Sequence, residues 1–295
     1  MKNLTALEIE NVLRGYAAGD SFGVAYEFTN NFWDVDPDIL RDKAGWPFGG
    51  VSDDTLLTLL TIQALDISSP TQSADNFLSS MRSAIPKLRG LGPTTRSALG
   101  LPVKDIELSQ VGISNGALMR TALLGLAFRE DEAKERRDFV RALASVTHQS
   151  PVAIGCALIG SAIFADARSN GEDNSVYEIA QRELAAIEFD IALSDWLEPI
   201  CTGISNESTE TLNAVLWTVK SSTSARQSLQ IACELGGDTD TVAALSTALL
   251  IARKRAASDF VTIPWLSQIA WDEIPTLVPS AQALYELYEQ VKVSL

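Results

Sequence analysis

The sequence predicts an all-α protein, a compact orthogonal bundle of many helices. Apolar residues recur with the period of an α-helix along most of the 295 residues. No run of residues shows the convincing period-2 alternation that a half-buried strand requires. No stretch rich in Pro, Gly and Ser is long enough to separate two domains. We therefore expect residues 1–295 to fold as a single domain.

The elements follow in order from the apolar pattern. A first helix has an apolar face over residues 4–16, and we expect the glycine-containing segment 19–23 to end it. Residues 53–66 are apolar almost all round after two leading acids, which indicates a buried helix. The best hairpin signal is Asn115-Gly116, but its flanks do not alternate. Further helices are predicted over 116–128, 132–146, 151–167, 174–188, 209–220, 224–235, 238–255 and 280–293.

The composition and the net charge indicate which kinds of partner this protein does not bind. Hydrophobic residues make up 46% and charged residues 21%, as in a folded globular protein, and the net charge is -15. Such a charge repels phosphate backbones and anionic membranes, so we expect neither nucleic acid nor membrane as a partner. The apolar run 151–165 is rich in small residues, which suits the centre of the bundle, and is too short to span a bilayer. Without a signal-peptide pattern in residues 1–16, we expect a cytoplasmic protein.

The three cysteines do not indicate a disulfide framework or a zinc site. They are few and scattered, and two of them lie in apolar helical stretches, where a free thiol usually acts as a small hydrophobic group. This use of cysteine is typical of a protein in a reducing compartment. The cysteines are Cys156, Cys201 and Cys233.

The segment after the first helix contains a candidate acid or base. Residues 19–23 (Gly-Asp-Ser-Phe-Gly) are followed by Glu27 between Tyr26 and Phe28. A carboxyl group against two aromatic rings would be partly desolvated, which favours its protonated form and suits proton transfer. The alternative is an ordinary helix end with a glutamate at the surface.

Two acidic clusters each precede an apolar helix. The first is residues 52–55 (Ser-Asp-Asp-Thr), and the second is residues 236–241 (Gly-Gly-Asp-Thr-Asp-Thr). Helix capping explains either cluster alone. Both together indicate ligands for Mg²⁺, Mn²⁺ or Ca²⁺, because such cations prefer carboxylate and hydroxyl oxygens. If the two helix starts meet, four carboxylates would lie together, an arrangement that is unfavourable unless cations fill it.

Two further segments are candidates for binding a ligand. Residues 112–120 form a loop rich in Gly, Ser and Asn that leads into a helix, and its backbone N–H groups suit a phosphate, although a plain turn has the same pattern. Residues 147–151 contain the single histidine of the chain, His148. A lone histidine is usually structural, and no Ser/His/Asp or Cys/His set is evident around it.

Taken together and in this order, these segments resemble the ADP-ribosylglycohydrolase family. The family fold is a single all-α domain, in agreement with the helical period. The resemblance spans roughly residues 10–255, and five segments in register make it specific. It is carried by Gly15-Tyr16, Gly19-Asp20, Gly23, Glu27, Ser52-Asp53-Asp54-Thr55, Ser114-Asn115-Gly116, Met119-Arg120, Thr147-His148 and Gly237-Asp238-Thr239-Asp240-Thr241.

The resemblance implies hydrolysis of the bond between C1 of the distal ribose of ADP-ribose and an acceptor. It implies Glu27 in the chemistry, a loop that holds the diphosphate, and His148 beside the ribose. The implied partner is an ADP-ribosylated protein or a small-molecule substrate, and the implied cofactor is two Mg²⁺ or Mn²⁺ ions. The implied metal ligands are Ser52, Asp53, Asp54, Asp238, Asp240 and Thr241. The implied substrate-binding residues are Gly112, Ser114, Asn115, Gly116, Met119 and His148.

Two positions depart from the family pattern, and two other functions stay open. Ser52 stands where the family usually has Thr, which keeps a hydroxyl but loses the β-branch that restricts its rotamer. Ala25 stands where the family often has Pro, so the loop around Glu27 has fewer constraints. One alternative is an inactive protein that binds ADP-ribose with metal or serves a structural role. Another is a metal-assisted hydrolase of phosphate esters. The acceptor group is open.

Overall fold

The computed structural model describes residues 3–29, 34–103, 112–171, 174–194, 203–253 and 257–290. These ranges contain helices and no strand, which confirms the all-α prediction. Short 3₁₀ turns lie at Ile85–Lys87, Ala122–Ala127, Glu130–Glu132, Pro264–Gln268 and Trp271–Glu273. The α-helices are α1 (Ala6–Val24), α2 (Asp53–Gln63), α3 (Pro70–Ala84), α4 (Pro93–Ala98), α5 (Gly116–Thr121), α6 (Ala133–Ser145), α7 (Pro151–Asn170), α8 (Val176–Ile187), α9 (Ser208–Ser221), α10 (Ala225–Glu234), α11 (Thr239–Ala252), α12 (Ala257–Phe260) and α13 (Leu277–Gln290).

Helices α1 and α11 form the central contact of the bundle. Helix α1 starts at a capping box made by Thr5 and Glu8, and it continues through Gly19 and Gly23 to Val24. The prediction that segment 19–23 ends this helix is therefore wrong. A methyl group on Gly19 would lie 2.4 Å from the carbonyl oxygen of Ala243 in α11. The glycines let the two backbones touch, and this packing outweighs their low helix propensity.

Replacing Gly19 with alanine should destabilise the protein by about 2 kcal/mol. The added methyl group meets backbone atoms of Ala243 and Ala244, which cannot rotate away as a side chain would. Urea unfolding followed by circular dichroism measures the change. Gly92→Ala is the control, because its methyl group would enter open space at an ordinary φ of -66°. Equal stability of the two variants would contradict the packing role.

Helix α7 lies in the core. It begins with Pro151 at its first turn, and it runs past the apolar segment to Asn170, five residues beyond Ala165. Among the described residues it is the one helix long and apolar enough to cross a membrane, but 89% of its most apolar window is buried within the bundle. The burial is that of a core helix. Gly125 allows its close approach, since a methyl group there would lie 2.0 Å from the carbonyl oxygen of Ser161.

Several helices differ from the sequence prediction. Helices α3, α4 and α12 were not predicted. Helix α3 was missed because it buries little besides Phe77 and Met81 and has no broad apolar face. The helix predicted over 116–128 changes at Ala122 into a 3₁₀ segment. The predicted ends at 254–255 and 291–293 lie outside the described residues, as does Cys201. Most of the buried apolar side chains in the described residues belong to one connected core cluster.

Candidate active site

The helix starts of α2 and α11 open onto one cavity of about 280 Å³. The two acidic segments, which are far apart in the chain, therefore meet in the fold. Every site residue predicted from the sequence lines this cavity except Gly112 and His148. The predicted residues at the cavity are Glu27, Ser52, Asp53, Asp54, Ser114, Asn115, Gly116, Met119, Asp238, Asp240 and Thr241.

A fully buried carboxylate from α1 holds the start of α2. Asp20 accepts hydrogen bonds from the backbone N–H of Ser52 at 3.0 Å and of Thr55 at 3.1 Å, and from the Thr55 hydroxyl. Ser52 caps the helix by accepting from the N–H of Asp54 at 3.0 Å. These bonds fix the first turn of α2 and direct Asp53 and Asp54 to the cavity.

The start of α11 is tied to three neighbouring segments. The N–H of Asp238 donates to the carbonyl oxygen of Ile204 at 2.9 Å, and the Thr239 hydroxyl donates to that of Gly23 at 2.8 Å. Gly237 has a φ of +76°, and a methyl group there would lie 1.9 Å from the oxygen of Ile204. The side-chain amide of Asn115 donates to the Asp238 carboxylate. Asp238 therefore has a fixed place against the rest of the site.

The aspartates are ionised only at a cost in this cavity. Burial raises the pKa of Asp20 and of Asp238 to about 6. Burial, followed by the charges of neighbouring carboxylates, raises the pKa of Asp53, Asp54 and Asp240 well above the ordinary value. In the described parts of the chain no Lys or Arg forms an ion pair with any of the five. The fold thus places uncompensated negative charge around the cavity.

Glu27 has a different environment from the one expected. Its carboxylate lies 2.6 Å from the Lys43 ammonium, and its side chain keeps 24% of its surface exposed. Tyr26 is buried against Phe22, and Phe28 is exposed, so the two aromatic rings do not enclose the carboxylate. The N–H of Phe28 donates to the carbonyl oxygen of Gly237 at 2.8 Å, which holds this turn against the start of α11.

The loop before α5 offers fewer free donors than the sequence suggested. The N–H of Asn115 already donates to the carbonyl oxygen of Asn206 at 2.8 Å, and the N–H of Gly112 donates to the Thr94 hydroxyl at 2.9 Å. Ser208 braces the loop by donating to the carbonyl oxygen of Ser114 at 2.6 Å. Ser114, Asn115 and Gly116 of this loop line the cavity.

His148 lies behind this loop and outside the cavity. It is fully buried, and its ring nitrogens contact the hydroxyls of Ser114 and Thr147. Burial and the charge of Arg120 lower its pKa to about 3, so the ring is neutral. The ring contacts Ser114, and a methyl group on Gly116 would lie 2.8 Å from it; these two residues line the cavity, and His148 does not.

Nearly the whole length of the chain matches one protein family. The sequence profile of the ADP-ribosylglycohydrolase family matches residues 5–292. This chain belongs to the ADP-ribosylglycohydrolase family. It is similar to a protein of Escherichia coli strain K12, "Uncharacterized protein YegU", with 28% identity over 194 residues, 54% of this chain and 56% of that protein. The match thus spans little more than half the length of this relative.

A solved structure has the same fold. A chain described as "ADP-ribosylglycohydrolase-related protein complex" superposes with a TM-score of 0.70 and 22% identity. The match covers 95% of this chain and 98% of that chain. At this identity the likeness shows the all-α ADP-ribosylglycohydrolase fold.

The oxygen atoms at the cavity fit the divalent cations that this family implies. Glu27, Asp238 and Asp240 each offer an oxygen within 4.8 Å of the others. The Oδ2 atom of Asp54 is buried and has no hydrogen-bond partner among the described residues. An all-oxygen donor set of this charge suits Mg²⁺ or Mn²⁺. Gly90 leaves room beside Asp53, where a methyl group would lie 2.8 Å from Oδ1.

The site contains residues that the sequence reasoning did not select. Asp20 appeared in the family pattern, but its role in holding α2 depends on the continuation of α1 past Gly19. Residues 90–93 (Gly-Leu-Gly-Pro) were detectable, since a Gly-rich segment with Pro at the first helical position precedes α4. The remaining residues that line the cavity carry no sequence pattern that would have selected them. These further lining residues are Phe28, Trp46, Gly90, Leu91, Gly92, Pro93, Thr95 and Asn206.

Proposed function

We propose that this chain hydrolyses the glycosidic bond between C1 of the distal ribose of ADP-ribose and an acceptor group, with divalent cations in the aspartate cluster. One observation carries the proposal. The two acidic helix starts and Glu27 converge on one cavity, and within the described parts of the chain the one cation paired with these carboxylates is Lys43, beside Glu27. Membership of the ADP-ribosylglycohydrolase family supports the choice of bond.

The metal ligands of the proposal come from both helix starts. The carboxylates of Asp53, Asp54, Asp238 and Asp240, with the hydroxyls of Ser52 and Thr241, would hold two Mg²⁺ or Mn²⁺ ions. Such ions, when bound, supply Lewis-acid contacts to hydroxyl groups and water. The protein supplies the fixed directions of these oxygens, because Asp20 and Asn115 hold the two helix starts in place.

Glu27 is the proton carrier of the proposal. Its ion pair with Lys43 holds a carboxylate at the rim of the cavity, so its first task is to accept a proton from the attacking water. It then returns this proton to the leaving group. The ribose passes through a state with positive charge, and the surrounding carboxylates stabilise that charge.

The test is release of free ADP-ribose. The protein is incubated with arginine-, serine- and nucleic-acid-linked ADP-ribose, with Mg²⁺, with Mn²⁺ and with EDTA, and products are separated by chromatography. The proposal expects metal-dependent release from at least one substrate. Binding of ADP-ribose without release from any of them would instead favour a binding protein, and release of phosphate from nucleotides would favour an ester hydrolase.

The stabilising effect of Mg²⁺ should depend on pH. Asp20 and Asp238 have a raised pKa of about 6 in the folded protein, so protonation of the cluster favours the metal-free fold at low pH. The stability that these protonated carboxyl groups give to the metal-free fold is present below pH 4 and is lost as the pH rises through about 6. Metal binding needs the ionised carboxylates and shows the opposite trend.

We expect saturating Mg²⁺ to raise the melting temperature by about 5 °C or more at pH 8 and by little at pH 5. Thermal melts with and without Mg²⁺ between pH 5 and pH 8 measure this difference. An increment that is the same at both ends of the range would contradict a metal site built from these carboxylates.

A further inference from the structure

A chain of hydrogen bonds runs from a buried guanidinium to the edge of the cavity. Arg120 Nη2 donates to Thr147 Oγ1 at 2.6 Å, and Thr147 Oγ1 lies 2.7 Å from His148 Nδ1. The other ring nitrogen, Nε2, lies 2.9 Å from Ser114 Oγ. Arg120 and His148 are fully buried, whereas Ser114 lines the cavity. No part of the proposed metal cluster takes part in this chain.

The direction of each hydrogen bond follows from the guanidinium. Arg120 can only donate, so Thr147 Oγ1 accepts from it. The two contacts to Arg120 and His148 are the hydrogen bonds of the Thr147 side chain within the described residues. If His148 Nδ1 carried a hydrogen, the Thr147 hydroxyl would have no acceptor for its own, which is unfavourable for a buried group. Thr147 therefore donates to Nδ1.

The tautomer of the ring is then determined. Burial and the nearby Arg120 charge lower the pKa of His148 to about 3, so the ring carries a single N–H at neutral pH. Because Nδ1 accepts from Thr147, that hydrogen is on Nε2. The Nε2–H group donates to Ser114 Oγ. The positive charge at Arg120 strengthens this arrangement, since it polarises the hydroxyl that donates to the ring.

We propose that His148 is a positioning residue that fixes Ser114 as a hydrogen-bond donor to an anionic oxygen in the cavity. With Ser114 Oγ accepting from the ring, the Ser114 hydrogen is free to turn away from it. Its one alternative partner among the described residues is Thr94 Oγ1, at 3.3 Å. In the other tautomer, with the hydrogen on Nδ1, the Ser114 hydroxyl would donate to Nε2. Ser114 would then present only oxygen lone pairs to the cavity, and these would repel a phosphate.

The inference rests on the proposed function in one respect, that the anionic group is the diphosphate of ADP-ribose. Its core is a statement about a proton position, and this can be measured without any ligand. The chain has a single histidine, so ¹⁵N-histidine labelling gives the signals of one imidazole ring. Multiple-bond ¹H–¹⁵N correlation spectra then identify which ring nitrogen carries the hydrogen.

The wild-type protein should show a neutral ring with the hydrogen on Nε2 between pH 6 and pH 8. Thr147→Val removes the donor to Nδ1 while keeping the shape of the side chain, and it should shift the ring toward the Nδ1–H form. Thr147→Ser keeps the hydroxyl and should restore the wild-type spectrum. A wild-type ring with its hydrogen on Nδ1, or a charged ring at pH 7, would overturn the inference.

Binding of ADP-ribose in the presence of Mg²⁺ tests the consequence. Thr147→Val and Ser114→Ala should each weaken binding about tenfold, the scale of one hydrogen bond to a charged group. The double variant should be no weaker than Ser114→Ala, because both changes remove the same bond. Thr61→Val is the control, since this buried hydroxyl donates to Leu57 within its own helix and should leave the affinity unchanged.

Inorganic pyrophosphate with Mg²⁺ serves as a second probe that lacks the ribose. A tenfold loss for pyrophosphate in Thr147→Val supports the inference even if the protein hydrolyses no ADP-ribosyl bond, so the two proposals can fail separately. An unchanged affinity for both probes in a folded Thr147→Val protein with a shifted tautomer would overturn the inference. Failure of the wild-type protein to bind either probe would overturn it as well.

Discussion

The variant Asp54→Asn should lose metal-dependent hydrolysis by about a thousandfold or more, while the metal-free protein becomes more stable. Loss of one carboxylate ligand removes several kcal/mol of stabilisation from the charged transition state. The metal-free fold gains stability, because Asp54 is buried among like charges and its Oδ2 atom has no hydrogen-bond partner among the described residues. An amide at this position can donate to the neighbouring carboxylates. Release of ADP-ribose and thermal melts with and without Mg²⁺ measure the two effects.

The opposite signs make this prediction specific to a metal site. At pH 8 we expect the free energy of unfolding without metal to increase, since burial and neighbouring carboxylates raise the pKa of Asp54 and a raised pKa is itself a cost of folding the ionised form. Asp138→Asn is the matched control, because Asp138 lies at the surface of α6 with half its side chain exposed. If Asp54→Asn were destabilised without metal and still stabilised by Mg²⁺ like the wild type, the carboxylate would have a structural role instead.

The helical fold was predictable because apolar periodicity survives over long segments. Helices such as α2 and α11 are apolar almost all round, and their buried surroundings leave this pattern in the sequence itself. Helix α3 is different, because its neighbours cover only a narrow strip of it around Phe77 and Met81. The boundary of α1 was wrong for a related reason. A glycine that ends a helix and a glycine that admits another backbone look the same until the partner, here Ala243, is known.

The site could be predicted as a set of residues more readily than as a geometry. Asp53, Asp54, Asp238 and Asp240 stood out because capping explains one acidic helix start but does not explain two. That they share a cavity depends on contacts distant in the chain, such as the bond from Ser52 to Asp20. The sequence placed the acids correctly at the helix starts, and the fold supplied their convergence.

His148 shows how a family resemblance and the residue type can point to different roles. The resemblance implies contact with the ribose, whereas a lone histidine is usually structural; the structure buries the ring fully, between Thr147 and Ser114. The neighbours that bury it come from separate parts of the chain, and one of them is Gly116, where a methyl group would lie 2.8 Å from the ring. Its influence on a ligand therefore passes through Ser114.

Replacing Glu27 with glutamine should lower turnover by about 10²- to 10⁴-fold, the range for loss of a general acid or base, and leave binding of Mg²⁺ and ADP-ribose in place. Glutamine keeps the shape of the side chain but cannot carry the proton between water and leaving group. Because Glu27 also lies within 4.8 Å of Asp238 and Asp240, the metal-induced rise in melting temperature is measured alongside turnover.

The outcome distinguishes a proton carrier from a metal ligand. Glu10→Gln is the matched control, because Glu10 is also a partly buried glutamate in an ion pair, with Arg14 at 2.8 Å, and it lies outside the cavity. Loss of the Mg²⁺ effect in Glu27→Gln would assign Glu27 to the metal ligands, and unchanged turnover would remove it from the chemistry. The contact with Lys43 favours the role of proton carrier over that of metal ligand. One carboxylate oxygen of Glu27 already has a cationic partner, and the aspartates are more deeply buried than Glu27. Turnover should therefore fall while the Mg²⁺ effect persists.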